Sequence, residues 1–395
     1  MRIWLTVALL SVALAISYID RTNVAFALAS RDFVHYFSLS DAQRGALNSA
    51  FFWTYGFLQI PAGALVDKYG PKWPIAGSLV VWCIAGAACG LADSFLVLMA
   101  CRLGLGLAES MITPGGLRWI RDNVSERHRG FATGLFFSGA KWGPAIGAPI
   151  ATWLIQSYSW RVMFFGLGLG GLVWLLPWVV VARDRRSVVA VESGPPFPLR
   201  ALFTERVMWG TLIGTFCYNY FAFYAVTWLP AYFVEQRHFP LTTMGFITGF
   251  SYLGMATVAI LAGLAADRFI AQGGHPVNVR RGFTITGLLV ASTEVIGALT
   301  SSDQTAAIFS VISMAGLGLA TANYWSLPQT VMPAAAAGRV GGAQNVALTT
   351  AGIVAPLLTA WLKQASGGYT LPMLVMGAIL LAGVSAYVFL VPVRR

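Results

Sequence analysis

Apolar residues run through this chain in stretches long enough to cross a bilayer, which takes roughly 20 residues of helix, and short polar segments separate them. Twelve such windows fall at 3–29, 44–66, 73–92, 95–119, 130–154, 160–182, 207–232, 243–266, 282–300, 305–332, 340–362 and 370–393. Each predicts a membrane helix, so the expected fold class is an all-α membrane protein of twelve transmembrane helices. The first window begins like a signal peptide, with Arg2 ahead of an apolar run to Ser17, but apolar character resumes past Asp20 and Arg21 to Ala29. A cleavable segment has an apolar core of only about 7 to 15 residues, so this one is read as the first membrane helix.

The polar segments organise the windows. Arg183 to Arg206 is the longest, and Pro195, Pro196 and Pro198 forbid a continuous helix through it. It is read as a cytoplasmic linker (183–206) between an N-terminal six-helix half (1–182) and a C-terminal six-helix half (207–395). A repeat supports the division: Gly63-Ala64-Leu65-Val66-Asp67-Lys68-Tyr69-Gly70-Pro71-Lys72 after the second window recurs as Gly263-Leu264-Ala265-Ala266-Asp267-Arg268 after the eighth. Basic residues crowd one set of loops, about 18 against about 5 in the other, which makes the richer side and both termini cytoplasmic.

Composition agrees: 57% of residues are hydrophobic and only 10% charged, with a mean hydropathy of +0.69. The net charge of +11 is explained by topology, with no nucleic-acid partner. Cys83, Cys89, Cys101 and Cys217 all sit in apolar runs, without a disulfide framework or a metal-binding spacing.

Away from the window ends, about six acids or bases lie within the spans: Asp20, Arg21, Arg102, Glu109, Lys141 and Glu294. Charges at membrane depth normally face a cavity, pair with one another and carry function; the plainer alternative is an ion pair that locks helices together. Arg102 and Glu109, seven residues apart, share a helix face, whereas Asp20 and Arg21 point about 100° apart and should serve different partners. Glu109 reads either as a proton carrier or as the permanently ionised partner of Arg102 or Lys141, and Asp20 carries the same ambiguity. Arg21, treated as an unpaired cation, is the leading group to grip an anionic substrate, because a guanidinium fork matches a carboxylate. Arg102 is assigned an organising role, and Lys141 a second anion contact, a counter-charge for Glu109 or a snorkelling position. Glu294 is read as structural or incidental.

The loop from Gly63 to Lys72, the Arg102-to-Pro114 segment and the two-half plan resemble the major facilitator superfamily. Within it, Tyr18-x-Asp20-Arg21-x-Asn23, Gln59-Ile60-Pro61-x-Gly63 and Arg102-x-x-x-Gly106-x-x-Glu109 are similar to the anion:cation symporter family. Thr227-Trp228-x-Pro230, Gly273-Gly274-x-Pro276 with Arg280-Arg281, and Gly341-Gly342-x-x-Asn345 extend the likeness through the second half. The resemblance implies a bacterial inner-membrane secondary transporter, working as a monomer, that imports a sugar acid or other organic anion with protons by alternating access. It implies proton coupling through Asp20 and Glu109, and structural or gating roles for Asp67, Lys72, Asp267, Arg268 and Arg102. Two departures stand out: Ser110-Met111-Ile112-Thr113-Pro114, and Lys141 followed by Gly143-Pro144-Ala145-Ile146-Gly147, which resembles an antiporter motif and keeps exchange open as the alternative.

Polar and aromatic candidates for specificity are Tyr18, Tyr55, Gln59, Asn219, Tyr220, Tyr224, Trp325 and Asn345, as a pocket at a repeat interface requires; packing alone is the alternative for Tyr220 and Tyr224. No enzyme is expected, and neither cofactor nor metal: His35, His128, His238 and His275 fall in loops, without a nucleophile or ligand cluster beside them. Gly104-Leu105-Gly106 lies in a membrane window, where glycine permits close helix packing. A non-transporting sensor would need a signalling domain that the sequence does not display.

Overall fold

The structure, a computed structural model, describes residues 2–184, 203–332 and 336–392. Most of the Arg183 to Arg206 stretch, Ser193 and its prolines included, lies outside the described residues. In chain order the helices are α1 (Arg2–Ala29), α2 (Arg31–Tyr36), α3 (Asp41–Tyr69), α4 (Lys72–Ala88), α5 (Phe95–Glu109), α6 (Ile112–Asn123), α7 (Glu126–Ser157), α8 (Trp160–Gly170), α9 (Leu175–Val181), α10 (Arg206–Thr227), α11 (Leu229–Glu235), α12 (Leu241–Ala271), α13 (Pro276–Ser292), α14 (Glu294–Leu299), α15 (Asp303–Val331), α16 (Ala337–Ser366) and α17 (Thr370–Leu390). Among the described residues, nine helical segments are long and apolar enough to cross a bilayer. Asp41–Tyr69, Glu126–Ser157 and Arg206–Thr227 have the length but are less apolar.

Serines start several of these helices. Ser40, Ser94, Ser159 and Ser302 each accept a hydrogen bond from the backbone N–H three residues on, and at Ser40 the Gln43 side chain reciprocates. Hydropathy windows stop at the first polar residues, whereas helices continue through them, so α3 and α7 run several residues past 44–66 and 130–154.

Several windows expected as single helices are interrupted, among them 160–182, where a 3-10 turn over Gly171–Trp174 separates α8 from α9. Pro114 lacks the N–H that would bond the carbonyl of Ser110, and the 95–119 window divides at Ser110-Met111 into α5 and α6. Pro230 divides the 207–232 window at Trp228 in the same way. A further break, at Thr293, separates α13 from α14; there the Thr293 hydroxyl bonds the carbonyl of Val290 at 2.6 Å.

The chain forms two compact units, Met1–Val189 with Pro230–Gly249, and Ala190–Leu229 with Phe250–Arg395. In the first unit Arg44 reaches the Glu235 carboxylate at 2.5 Å and the carbonyl of Leu28 at 2.9 Å. The main helix pair of this unit is α1 on α7. Gly139, Gly143 and Gly147 make a stripe at every fourth residue of α7, and a methyl group on any of them would collide with Ser11, Ala15 or Ile19 on α1. Small residues at this spacing let two backbones approach closely in a membrane, and here they fix the helix that carries Asp20 and Arg21. In the second unit α15 packs on α13, and α10 on α16 and α17.

Candidate functional site

Helix α1 delivers Ser17 and Arg21 on one face, four residues apart, and α5 ends with the fully buried Glu109 facing them. Glu109 Oε2 accepts from Ser17 Oγ at 2.6 Å and from Arg21 Nε at 2.6 Å. The Arg21 guanidinium is surrounded by three rings, Tyr18 at 4.5 Å, Phe51 at 4.6 Å and Tyr55 at 4.4 Å. Phe51 and Tyr55 lie four residues apart on α3 and stack, with ring centroids 5.0 Å apart. The Tyr55 hydroxyl lies 3.4 Å from Thr113 Oγ1 on α6, so four helices contribute to the cluster.

Arg21 is therefore not the unpaired cation expected from the sequence, because Glu109 supplies its counter-charge from a helix far along the chain. Neither Arg102 nor Lys141 is the residue that pairs with Glu109. Arg102 donates to the backbone carbonyls of Asp20 at 3.2 Å and Arg21 at 3.4 Å, holding α1 by its main chain. Lys141 is half-buried on α7, about 200° round the helix from the Gly139 and Gly143 stripe, on a face turned away from α1. Asp20 is 1% exposed; its Oδ1 accepts from Asn23 Nδ2 at 3.4 Å, and it serves a different partner from Arg21. Five atoms of this buried cluster have no hydrogen-bond partner among the described residues: Asp20 Oδ2, Arg21 Nη2, Asn23 Oδ1, Arg102 Nε and Glu109 Oε1. A buried guanidinium nitrogen without an acceptor is an anion's natural contact, and a buried carboxylate oxygen without a donor is a proton's.

The remaining candidates divide between the units. Gln59 is half-buried in the first. In the second, Asn219 Nδ2 bonds the carbonyl of Thr215 at 2.8 Å, and Tyr220 and Tyr224 are fully buried. Trp325 and Asn345 are half-buried, and Trp325 lies edge-on to Tyr324, 6.0 Å between centroids.

Next to the α3–α4 turn, Asp67 pairs with Arg118, whose Nε also bonds Asp122 at 2.6 Å. Lys72 Nζ bonds the carbonyl of Val179 at 2.8 Å, and its backbone N–H donates to Asp184 at 3.1 Å. Burial pushes the Asp184 carboxyl above the ordinary carboxylate range, against the opposing pull of the Lys72 N–H. Gly70, at φ 78°, turns the chain beneath Asp184, where any side chain would meet that carboxyl. In the second unit Asp267 sits 3.7 Å from Arg280, and Arg268 is exposed.

The likeness to known proteins covers nearly the whole chain. Residues 10–356 match the Major Facilitator Superfamily. This chain belongs to the Major Facilitator Superfamily. Among similar relatives of that superfamily are a probable L-galactonate transporter of Escherichia coli K12, 28% identical over 97% of this chain and 88% of the relative, and a probable sulfoacetate transporter of Cupriavidus necator, 30% identical over 95% and 91%. A D-galactonate transporter of Escherichia coli O6:H1 is 27% identical over 99% of this chain and 96% of the relative. In fold, the crystal structure of a bacterial homologue of the human lysosomal transporter Spinster superposes with a TM-score of 0.82 at 17% identity, covering 98% of this chain and 96% of that one. A superfamily of carriers, not an enzyme family, accounts for the chain.

Sequence reasoning missed Ser17, Phe51, Arg118 and Asp184. Ser17 and Phe51 had a signal, since each stands four residues before a residue already singled out, Arg21 and Tyr55, and so shares its helix face. Arg118 and Asp184 had none, because the turn they stabilise joins them only in three dimensions.

Proposed function

We propose that this protein is a secondary transporter that imports a small organic anion, a sugar acid or similar carboxylate, together with protons. The observation that carries the reading is the Arg21–Glu109 pair inside its ring cage. Arg21 Nη2, which lacks an acceptor, is open to a substrate carboxylate, and because one positive charge cannot neutralise two carboxylates, substrate and ionised Glu109 compete for it. A proton on Glu109 ends the competition, which couples anion binding to proton uptake at a single residue. Tyr18 and Tyr55 flank the bound anion, Asp20 relays a second proton-linked step, and Arg102 keeps α1 in register. Lys141 supplies a second anion contact, and Gln59, Asn219, Tyr220, Tyr224, Trp325 and Asn345 supply the polar and aromatic contacts of specificity. Access alternates between two halves, 1–182 and 207–395, about the linker 183–206, with Asp67, Lys72, Asp267 and Arg268 at the cytoplasmic gates. The basic-loop bias supports cytoplasmic termini in a bacterial inner membrane, and the relatives' names support a sugar-acid or related substrate. The chain acts as a monomer.

The antiport reading rests on Gly143-Pro144-Ala145-Ile146-Gly147, but Gly143 and Gly147 already have a packing role against α1, which weakens it. Purified protein screened by thermal shift against hexonates, hexuronates and sulfoacetate, then reconstituted into proteoliposomes, tests the proposal. Accumulation of a stabilising acid under an imposed proton gradient, with its amide inactive, is the expected result. Equal stabilisation by acid and amide would overturn the anion assignment, and exchange that ignores the proton gradient would overturn symport.

A further inference from the structure

Glu294 lies outside everything described above. It is the first residue of α14, just past the break at Thr293, and is fully buried where α14 packs on α15 and α17. Its Oε2 stands 2.5 Å from the hydroxyl of Ser313 on α15. Its Oε1 has no hydrogen-bond partner among the described residues, and neither does the hydroxyl of the adjacent, equally buried Ser310.

The hydrogens around this carboxyl can be counted. Ser313 Oγ is also 2.9 Å from the carbonyl of Ser310, an atom that can only accept, and its single hydroxyl hydrogen can be directed there in place of Glu294. Ser313 then offers Glu294 a lone pair, and only a carboxyl that bears a hydrogen can donate to it. If the hydroxyl turns instead toward Glu294, a fully buried carboxylate has one donor for two oxygens. A charge so poorly solvated is unfavourable and is relieved by protonation.

Among the described residues no cation answers it. Among the described residues Glu294 makes no ion pair, and α14 carries no other ionisable side chain. On α15, Asp303 lies ten residues from Ser313 and Tyr324 eleven, roughly 15 Å or more along the helix. Tyr387, the one ionisable side chain of α17, is ten residues from Gly377, where α17 meets Val295, and Arg280 and Arg281 are thirteen or more residues back along α13.

We propose that Glu294 is a proton-binding site of the second unit, a carboxyl that holds its hydrogen while α14 is packed on α15 and releases it when α14 moves away. The site is distinct from the Arg21–Glu109 pair and requires no substrate, so it stands or falls independently of the transport reading.

Infrared difference spectroscopy of the full chain in lipid nanodiscs at neutral pH, before and after exchange into deuterated water, reads the C=O stretch of protonated carboxyls directly. The parent should show a band that Glu294→Gln lacks and that Ser313→Ala shifts without removing, since it loses its hydrogen-bond acceptor. Glutamine can donate to Ser313 as the acid does, so the variant should fold; if it does not, the shift in Ser313→Ala alone identifies the band. Melting gives a second readout: unfolding into water releases the proton, so the parent's folding constant should fall up to tenfold per pH unit more steeply than that of Glu294→Gln. A protonated-carboxyl region identical in all three proteins would show that Glu294 is ionised and overturn the proposal. Parallel pH profiles for parent and Glu294→Gln would do the same.

Discussion

Glu109→Gln separates proton coupling from anion binding. In the parent, Glu109 Oε2 holds Arg21 Nε at 2.6 Å, and a substrate carboxylate must take over that guanidinium. At an effective dielectric constant of about 20, two unit charges roughly 4 Å apart attract by about 4 kcal/mol, enough to make the exchange depend on the charge of Glu109. Because one carboxyl is displaced, binding takes up one proton. The dissociation constant should therefore rise with pH by up to tenfold, about 1.4 kcal/mol, per unit wherever Glu109 is ionised in the free protein. Glutamine has nearly the same shape, still accepts from Ser17 or Arg21, and carries no charge. The variant should bind the acid at every pH as the parent does at its most acidic. Across about two pH units the two proteins should diverge by up to about a hundredfold. Calorimetric titration of purified parent and variant between about pH 6 and 8 measures both slopes, and melting curves control for folding. Proteoliposomes should then show exchange without accumulation. An equal slope in both proteins would refute the idea that Glu109 is the coupled proton acceptor.

Two further outcomes follow from the same geometry. Arg21→Lys keeps the charge but loses the planar group that stacks on Tyr18, Phe51 and Tyr55 and the Nε bond to Glu109, so direct binding should weaken by about 1 to 3 kcal/mol for the acid and hardly change for its amide. Gly143→Leu should force α1 off α7 and lower thermal stability by about 1 to 3 kcal/mol or prevent accumulation in the membrane, whereas Gly134→Ala on the same helix, with open space around it, should melt like the parent.

Much of this protein is local information. Length and apolarity place nine spans among the described residues without reference to any other, because a helix in lipid satisfies its own backbone and needs only enough apolar residues to span. The prolines at 114 and 230 are equally local, but the missing N–H alone does not mark a break, because α3, α7, α15 and α16 run on through Pro61, Pro144, Pro149, Pro328 and Pro356. The signature around Asp20 and Arg21 marked where buried charges gather. What the sequence could not determine was who pairs with whom. Arg21 and Glu109 are 88 residues apart, and only the packing of α1 against α7 and the placement of α5 decide that Glu109, rather than Arg102 or Lys141, completes the pair. Glu294 makes the same point in reverse: it has no motif, and its isolation with Ser313 emerges only once α14 is laid on α15. Helix formation depends on neighbours along the chain, whereas an ionisable side chain's chemistry depends on the few atoms that touch it, and those come from other helices.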